Sequence, residues 1–350
     1  MRSRQGAGTI EYAVVGLLAV GLGCTVTPES GTTFETTPAL PSQDTGTDGM
    51  TTMSGSGSGV ADGSGSGGDP EKLDTPSVGG GGGCEFIDFL FVIDNSESMQ
   101  TYQLALTEQF PEFITAMYDA LPPAIDVHVG LTTTDFNPGC DAIEGTMNCQ
   151  TDATVAEVES QYVPPDVMNA MGNGAQGKLF EYAGTRYFET TSDDDPAPLT
   201  DWFSEAAVAA GEEGCSFEMP VAAAGYATHP ANAAENGGFL RDESALLVVF
   251  FLTDEPDKSP ESKDIYRDMV FEAKTACAGA DGRPEDCVYI SGLIPACTLD
   301  VNQKLWQFMN QFDDDEPPWG DIEGTGDYAM VFGDALATAI AEACANVPIP

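Results

Sequence analysis

Apolar and polar positions divide the chain into three stretches. Residues 13–22, AVVGLLAVGL, are apolar throughout, and residues 25–83 show no hydrophobic periodicity. From residue 84 onward, strand-like and helix-like patterns alternate. Residues 85–93, EFIDFLFVI, are apolar and β-rich and end abruptly in polar residues. Residues 125–131, IDVHVGL, read as a second strand, and a further strand is expected around 178–187 within a long polar, irregular stretch from 136 to 198. Residues 245–252, ALLVVFFL, are continuously apolar, as a strand buried on both faces should be. Residues 288–294 and 328–332 complete the strand set. Helical spacing of Leu106, Phe110, Phe113, Ile114, Met117 and Leu121 predicts a helix over 102–121, which Pro111 should kink or restart. Helices are also expected over 201–210, 218–226, 262–278, 304–312 and 334–345. This alternation predicts an α/β fold, an open and mostly parallel sheet flanked by helices.

The stretches ahead of residue 84 read as an address and a tether. Arg2 and Arg4, a short apolar core and Gly23 before Cys24 describe an export segment over residues 1–24. Ten apolar residues are too few to span a bilayer comfortably. Gly21-Leu22-Gly23-Cys24 resembles a bacterial lipoprotein lipobox, in which the Cys is lipidated; it departs from the pattern in having Gly21 where a large aliphatic residue is usual. GAGTIEYAVVGLLAV resembles instead the processed N-terminal helix of pilin-like proteins. Both readings export the chain. Thr25 stands where inner-membrane lipoproteins commonly carry Asp, so the lipoprotein resemblance implies the outer membrane or cell surface, and the alternative a secreted or pilus-associated protein. In residues 25–83, 39 of 59 residues are Gly, Ser, Thr or Pro, a composition expected to stay disordered. As a coil it would reach roughly 40–45 Å. One domain is then expected over residues 84–350.

Charge narrows the function. The chain carries 12 Lys+Arg against 57 Asp+Glu, a formal net charge of −45. Nucleic acid is excluded as a partner, because phosphate contacts need a basic footprint. Hard cations are compatible with such a surface.

Candidate chemistry sits at strand ends, where open α/β sheets build their sites. The first strand runs into Asp94, Ser96 and Ser98, in the spacing D-x-S-x-S. The strand at 245–252 runs into Thr253, Asp254 and Glu255. The second strand adds Thr133, Thr134 and Asp135. Hydroxyls and carboxylates without His or thiolate favour Mg²⁺, Ca²⁺ or Mn²⁺ over zinc. The bland reading is that Asp94 and Asp254 only cap helices.

D-x-S-x-S after one buried strand, with T-D after a later one, resembles the von Willebrand factor A domain and its metal-ion-dependent adhesion site. Over residues 86–346 the order of elements is similar as well. The resemblance implies that Ser96 and Ser98 bind the metal directly, and Asp94 and Asp254 directly or through water. Thr134, Asp135 and Ser216 are weaker candidates. The family's third loop supplies a Thr after a Gly. Here Gly214 is followed by Cys215 and Ser216, a departure at the Thr position, and Glu97 stands where Gly is common. The implied function is a non-catalytic binding module that takes a carboxylate from a protein or surface polymer. The alternatives are a metal-independent assembly protein and a metal-assisted hydrolase.

Nine cysteines include eight after Cys24, an even number that suits an oxidising compartment. Closeness in sequence suggests Cys140–Cys149 and Cys277–Cys287. The A-domain resemblance, with its adjacent termini, implies Cys84–Cys344 and leaves Cys215–Cys297. No C-x-x-C spacing supports a thiolate metal site. Neither H-E-x-x-H nor a strand-borne G-x-S-x-G is present. A Cys215–His229 nucleophilic pair is conceivable, but an exported chain favours the disulfide.

Overall fold

The computed structural model describes residues 84–137, 155–165, 172–211, 214–215, 217–277, 283–312, 317–324, 340 and 344. All of them belong to one compact unit, residues 72–350. The expected export segment with Cys24, the linker, Cys140, Cys149, Ser216 and the strand expected at 328–332 lie outside the described residues, as does nearly all of the helix expected at 334–345.

The described strands and α-helices are, in chain order, β1 (Phe86–Ile93), α1 (Gln100–Ala120), β2 (Asp126–Thr133), α2 (Val155–Gln161), β3 (Tyr187–Thr191), α3 (Ala197–Ala210), α4 (Pro220–Thr228), α5 (Ala233–Asn236), β4 (Ala245–Leu252), α6 (Lys263–Ala273), β5 (Val288–Ile294), α7 (Lys304–Met309) and β6 (Trp319–Asp321). The strands form one sheet in the order β3-β2-β1-β4-β5-β6. Every pairing is parallel except β2–β3. The architecture is the open, mostly parallel α/β sheet that the alternating pattern predicts.

Alternation along β1 and β4 builds two cores. Ile87, Phe89, Phe91 and Ile93 join Leu246, Val248, Phe250 and Leu252 on the face covered by α1 and α3. Leu90, Val92, Leu247, Val249 and Phe251 face α4, α6 and α7. Phe91 sits at the centre of the first core, edge-on to Phe203 at 4.6 Å and to Phe113 at 5.8 Å. Both faces of β4 are buried, which explains its unbroken apolar run. On the second face, α4 lies flat and buried nearly throughout, and its run of small residues permits this close approach.

Three sequence expectations change. Pro111 lies inside α1, and the helix continues as one element from Gln100 to Ala120 because Phe110, Phe113, Ile114 and Met117 keep one face on the sheet. The strand expected at 178–187 is instead β3 at Tyr187–Thr191; residues 182–185 form only an isolated bridge. The described edge strand after β5 is the three-residue β6, too short to show a period.

Two disulfides are fixed, Cys84–Cys344 and Cys277–Cys287. The first ties Cys84, two residues ahead of β1, to a point 260 residues later. Cys215 and Cys297 are each disulfide-bonded as well. No described helix is long and apolar enough to cross a membrane.

Candidate metal centre

Register alone brings the strand tips together. Ile93 is abreast of Thr133 on one side and of Leu252 on the other. The next residue of each strand, Asp94, Thr134 and Thr253, therefore leaves the sheet at one level. Backbone bonds hold the exit: Asp94 N–H donates to Leu252 O at 2.8 Å, and Thr134 N–H to Ile93 O at 3.2 Å.

Asp94 is fully buried and organises the first loop. Its Oδ1 accepts the Ser96 N–H at 2.9 Å, and its Oδ2 accepts the Thr253 hydroxyl at 2.8 Å. Both carboxylate oxygens are thus committed to holding two loops. From there an oxygen chain runs outward. Ser96 Oγ and Ser98 Oγ are 2.9 Å apart, and Ser98 Oγ donates to Asp254 Oδ1 at 3.1 Å. Ser96 is buried and Ser98 is exposed, so the chain opens to solvent at its outer end. The structure therefore unites Asp94, Ser96, Ser98 and Asp254 in one connected network.

Electrostatics at this tip are strained. Burial, together with the neighbouring Asp94, pushes the Asp254 carboxyl up to about 7. Glu255 pairs with Lys258, whose side chain is buried. The Lys258 ammonium also lies over the Phe217 ring, 5.9 Å from its centroid.

The weaker candidates go elsewhere. Thr134 gives its hydroxyl to Glu218 Oε2. Asp135 accepts the Asn137 N–H at 3.0 Å and so serves its own loop; burial raises its carboxyl to about 6. Asp194, in the acidic run Asp193-Asp194-Asp195, accepts the Thr191 N–H at 2.8 Å and so serves its own turn. His128 is held in mid-strand, with Nδ1 on Phe239 O at 2.7 Å, and His229 Nδ1 accepts the Ala231 N–H at 3.2 Å. As a half-cystine, Cys215 leaves no free thiol for a nucleophilic pair with His229.

Sequence reading missed Glu218, which it took as the first residue of a helix. The third loop approaches the first so closely that Gly214 is required: a Cβ there would stand 2.5 Å from the Asn95 side chain. Gly214 N–H donates to Asn95 O at 2.8 Å. Cys215 turns its sulfur back to accept the Phe217 N–H at 3.4 Å. The loop then carries Glu218, fully buried, between the end of β2 and the loop after β4. Burial, with Asp94 adding to it, pushes the Glu218 carboxyl well above its ordinary range. The readable signal was a lone acid in an otherwise uncharged run, CSFEMPVAAAGY.

Two acceptor oxygens here, Asn95 Oδ1 and Glu218 Oε1, are buried without a hydrogen-bond partner. Among the described residues no three His, Cys, Asp or Glu side chains gather closely enough to hold a metal ion. A cation at this tip would therefore depend on the serine hydroxyls. Their spacings suit one. Adjacent ligands of an octahedral ion at 2.0–2.1 Å lie about 3.0 Å apart. The serine pair at 2.9 Å and the Ser98–Asp254 contact at 3.1 Å are hydrogen bonds of about that length, so an ion could replace their protons without moving the oxygens far.

No family model matches the sequence, and no curated protein matches it. The fold is similar to solved structures at low identity. A von Willebrand factor type A structure from Catenulispora acidiphila shares 12 % identity at a TM-score of 0.36, over 75 % of this chain and 51 % of that one. Proximal thread matrix protein 1 of the mussel byssus shares 9 % at 0.35, over 75 % and 49 %. The pilus adhesin SpaC of Lactobacillus rhamnosus GG shares 12 % at 0.36, over 74 % and 30 %. The chain spans about half of the first two structures and less of the third. Likeness at this level carries no argument about site or ligand.

Proposed function

We propose that the chain is an exported, surface-exposed binding module that holds a divalent cation at Ser96, Ser98 and Asp254, and through it takes a carboxylate oxygen from a partner protein or surface polymer. One observation carries this reading: Ser96, Ser98 and Asp254, brought together from two distant chain segments at the strand tips, form one oxygen network that opens to solvent at Ser98. Neutral hydroxyls leave a bound Mg²⁺ electron-poor, so it favours an anionic oxygen from outside. Export is supported by the disulfides, which persist in oxidising compartments. The module is read as non-catalytic, and its expected anchor is the lipidated Cys24 followed by the 25–83 linker.

Surface charge narrows the partner. Each of the nine basic residues after residue 84 already faces an acidic side chain or a carbonyl of this chain. A partner that offers a carboxylate must therefore bring basic neighbours with it, and association should weaken with salt. Isothermal titration with Mg²⁺, Mn²⁺ and Ca²⁺ tests the cation. Absence of heat and of any melting shift at millimolar concentrations of all three would remove the reading.

A further inference from the structure

A cavity of about 390 Å³ lies beside the segment that leads from α2 to β3, lined by Gly172, Asn173, Lys178, Glu181, Arg186 and Glu235. None of these residues belongs to the strand-tip network. The volume falls among small-molecule sites, about 300–1,000 Å³, yet four of the six lining residues are charged, two of each sign. Lys178 is only 6 % exposed, while the Arg186 and Glu181 side chains reach solvent at 33 % and 49 %.

The wall of this cavity closes without those charges. Gly174, Gln176 and Gly177 all take positive φ, so the chain doubles back sharply. Phe180 N–H donates to Leu131 O at 2.7 Å and Gln176 N–H to Asp135 O at 2.8 Å, which fastens the segment to β2 and the loop after it. Asn236 holds it from the other side, its Nδ2 donating to Gly177 O at 2.9 Å and its Oδ1 accepting the Leu179 N–H at 2.8 Å. The Asn173 side chain bonds both backbone groups of Glu181, at 2.9 and 2.7 Å. Arg186 adds one further bond, Nη1 to Leu179 O at 3.2 Å. Its other contact, to Glu181 Oε2 at 3.3 Å, is a partly exposed bridge of the kind that opens readily.

Charge selects the ligand. A purely anionic molecule would meet Lys178 and Arg186 but also two carboxylates, on a chain of net charge −45. A purely cationic one would meet both bases. A molecule with one charge of each sign pairs with all four side chains and leaves none opposed. We propose that this cavity binds a small zwitterion of the α-amino-acid class, with its carboxylate at Lys178 and Arg186 and its ammonium at Glu181 and Glu235. The ligand inserts into the Arg186–Glu181 bridge, each partner exchanging the other for a group of the ligand. This site is independent of the cation reading and survives its failure.

The test is calorimetric titration of the full chain with glycine, L-serine and L-glutamine, and with the N-acetyl and α-amide forms of whichever binds. At least one free amino acid should bind at millimolar concentration or below. Both blocked forms should bind at least about tenfold more weakly, since each lacks one ionic contact. Lys178→Met and Glu235→Gln should each weaken binding by about tenfold, whereas Lys263→Met, the same charge change on α6, should leave it unchanged. Heat from none of the three amino acids overturns the proposal. So does equal binding of a blocked form. An equal loss in Lys178→Met and Lys263→Met also overturns it, because general charge then explains the effect. If Lys178→Met does not fold, Arg186→Gln at the partly exposed mouth decides. Weaker binding of the free amino acid with unchanged binding of its amide supports the carboxylate contact, and an equal result for both overturns it.

Discussion

Ser98 and Asp254 lie 156 positions apart in the chain and share a hydrogen bond, Oγ to Oδ1 at 3.1 Å. Contact over that separation follows from β1 and β4 lying side by side and ending level. Replacing Ser96 and Ser98 together by alanine removes two hydroxyl oxygens from a rim that is open at Ser98, so the fold should survive. What should vanish is the response to cations. At a concentration near 100 Kd, a bound ion stabilises by about 2.7 kcal/mol, or roughly 5–10 °C in melting temperature for a domain of this size. Thermal melts with and without Mg²⁺ should show that rise in wild-type protein and none in the double variant. An equal rise in both would place the ion elsewhere.

Lys258 should oppose the cation while supporting the empty fold. Its buried ammonium pairs with Glu255 and counters Glu218. Lys258→Met leaves these acids uncompensated and should cost roughly 3–5 kcal/mol in cation-free urea melts. Added Mg²⁺ should recover part of that loss, and its affinity should rise by at least about threefold as a competing positive charge disappears. Weaker Mg²⁺ binding in Lys258→Met would show that the lysine organises the site rather than competing in it.

Much of the fold was readable because long apolar runs carry strong signals. β1 and β4 announce themselves by apolar stretches that stop at Asp94 and Thr253, and parallel register then makes their tips neighbours. β3 was misplaced because YFETT is a half-exposed edge strand whose pattern barely differs from the loop before it. The site was half readable. Asp94, Ser96, Ser98 and Asp254 follow strands, so their convergence could be anticipated. Glu218 follows a loop, and its position depends on three backbone contacts from residues far away in sequence. Family spacing pointed to Cys215, which here is covalently bonded.

Asp257 should matter to α4 as much as to the loop that carries it. No side chain at the N-cap, Met219, caps this helix. The cap comes from a distance: Asp257 Oδ1 accepts the Val221 N–H at 3.0 Å and the Ser259 hydroxyl at 2.7 Å, and Ser259 Oγ accepts the Ala222 N–H at 3.0 Å. Asp257→Ala uncovers buried donors at both positions and should cost roughly 2–3 kcal/mol. Asp257→Asn, which keeps a carbonyl oxygen, should cost less. Because residues 257–259 continue the loop of Asp254, Mg²⁺ affinity should fall in step with stability across the two variants. Urea melts paired with calorimetry measure both, and unchanged affinity in a destabilised Asp257→Ala would separate the cap from the site.

Lys274 gives the fold a rising stability on the alkaline side. Its side chain is fully buried, and its Nζ donates to Arg241 O at 2.6 Å. Arg241 in turn grips the buried Asp88, with Nε on Oδ1 at 2.8 Å and its N–H on Oδ2 at 2.8 Å. Burial lowers the lysine from 10.5 to about 8, against the pull of Asp88 and Asp242 and with a smaller push from Arg241. Below pH 8 both folded and unfolded chains carry this proton, and the full burial penalty applies. Between about pH 8 and 10.5 only the unfolded chain still holds it, so stability rises with pH across that window. The gain approaches roughly 3 kcal/mol if the whole shift is realised. Lys274→Met should be less sensitive to pH over the same interval, since the group that changes charge is gone. Urea melts of both proteins at pH 7.5 and pH 10 supply the difference. Parallel changes in the two would mean that the buried ammonium keeps its proton and that the Asp88–Arg241 pair screens it fully.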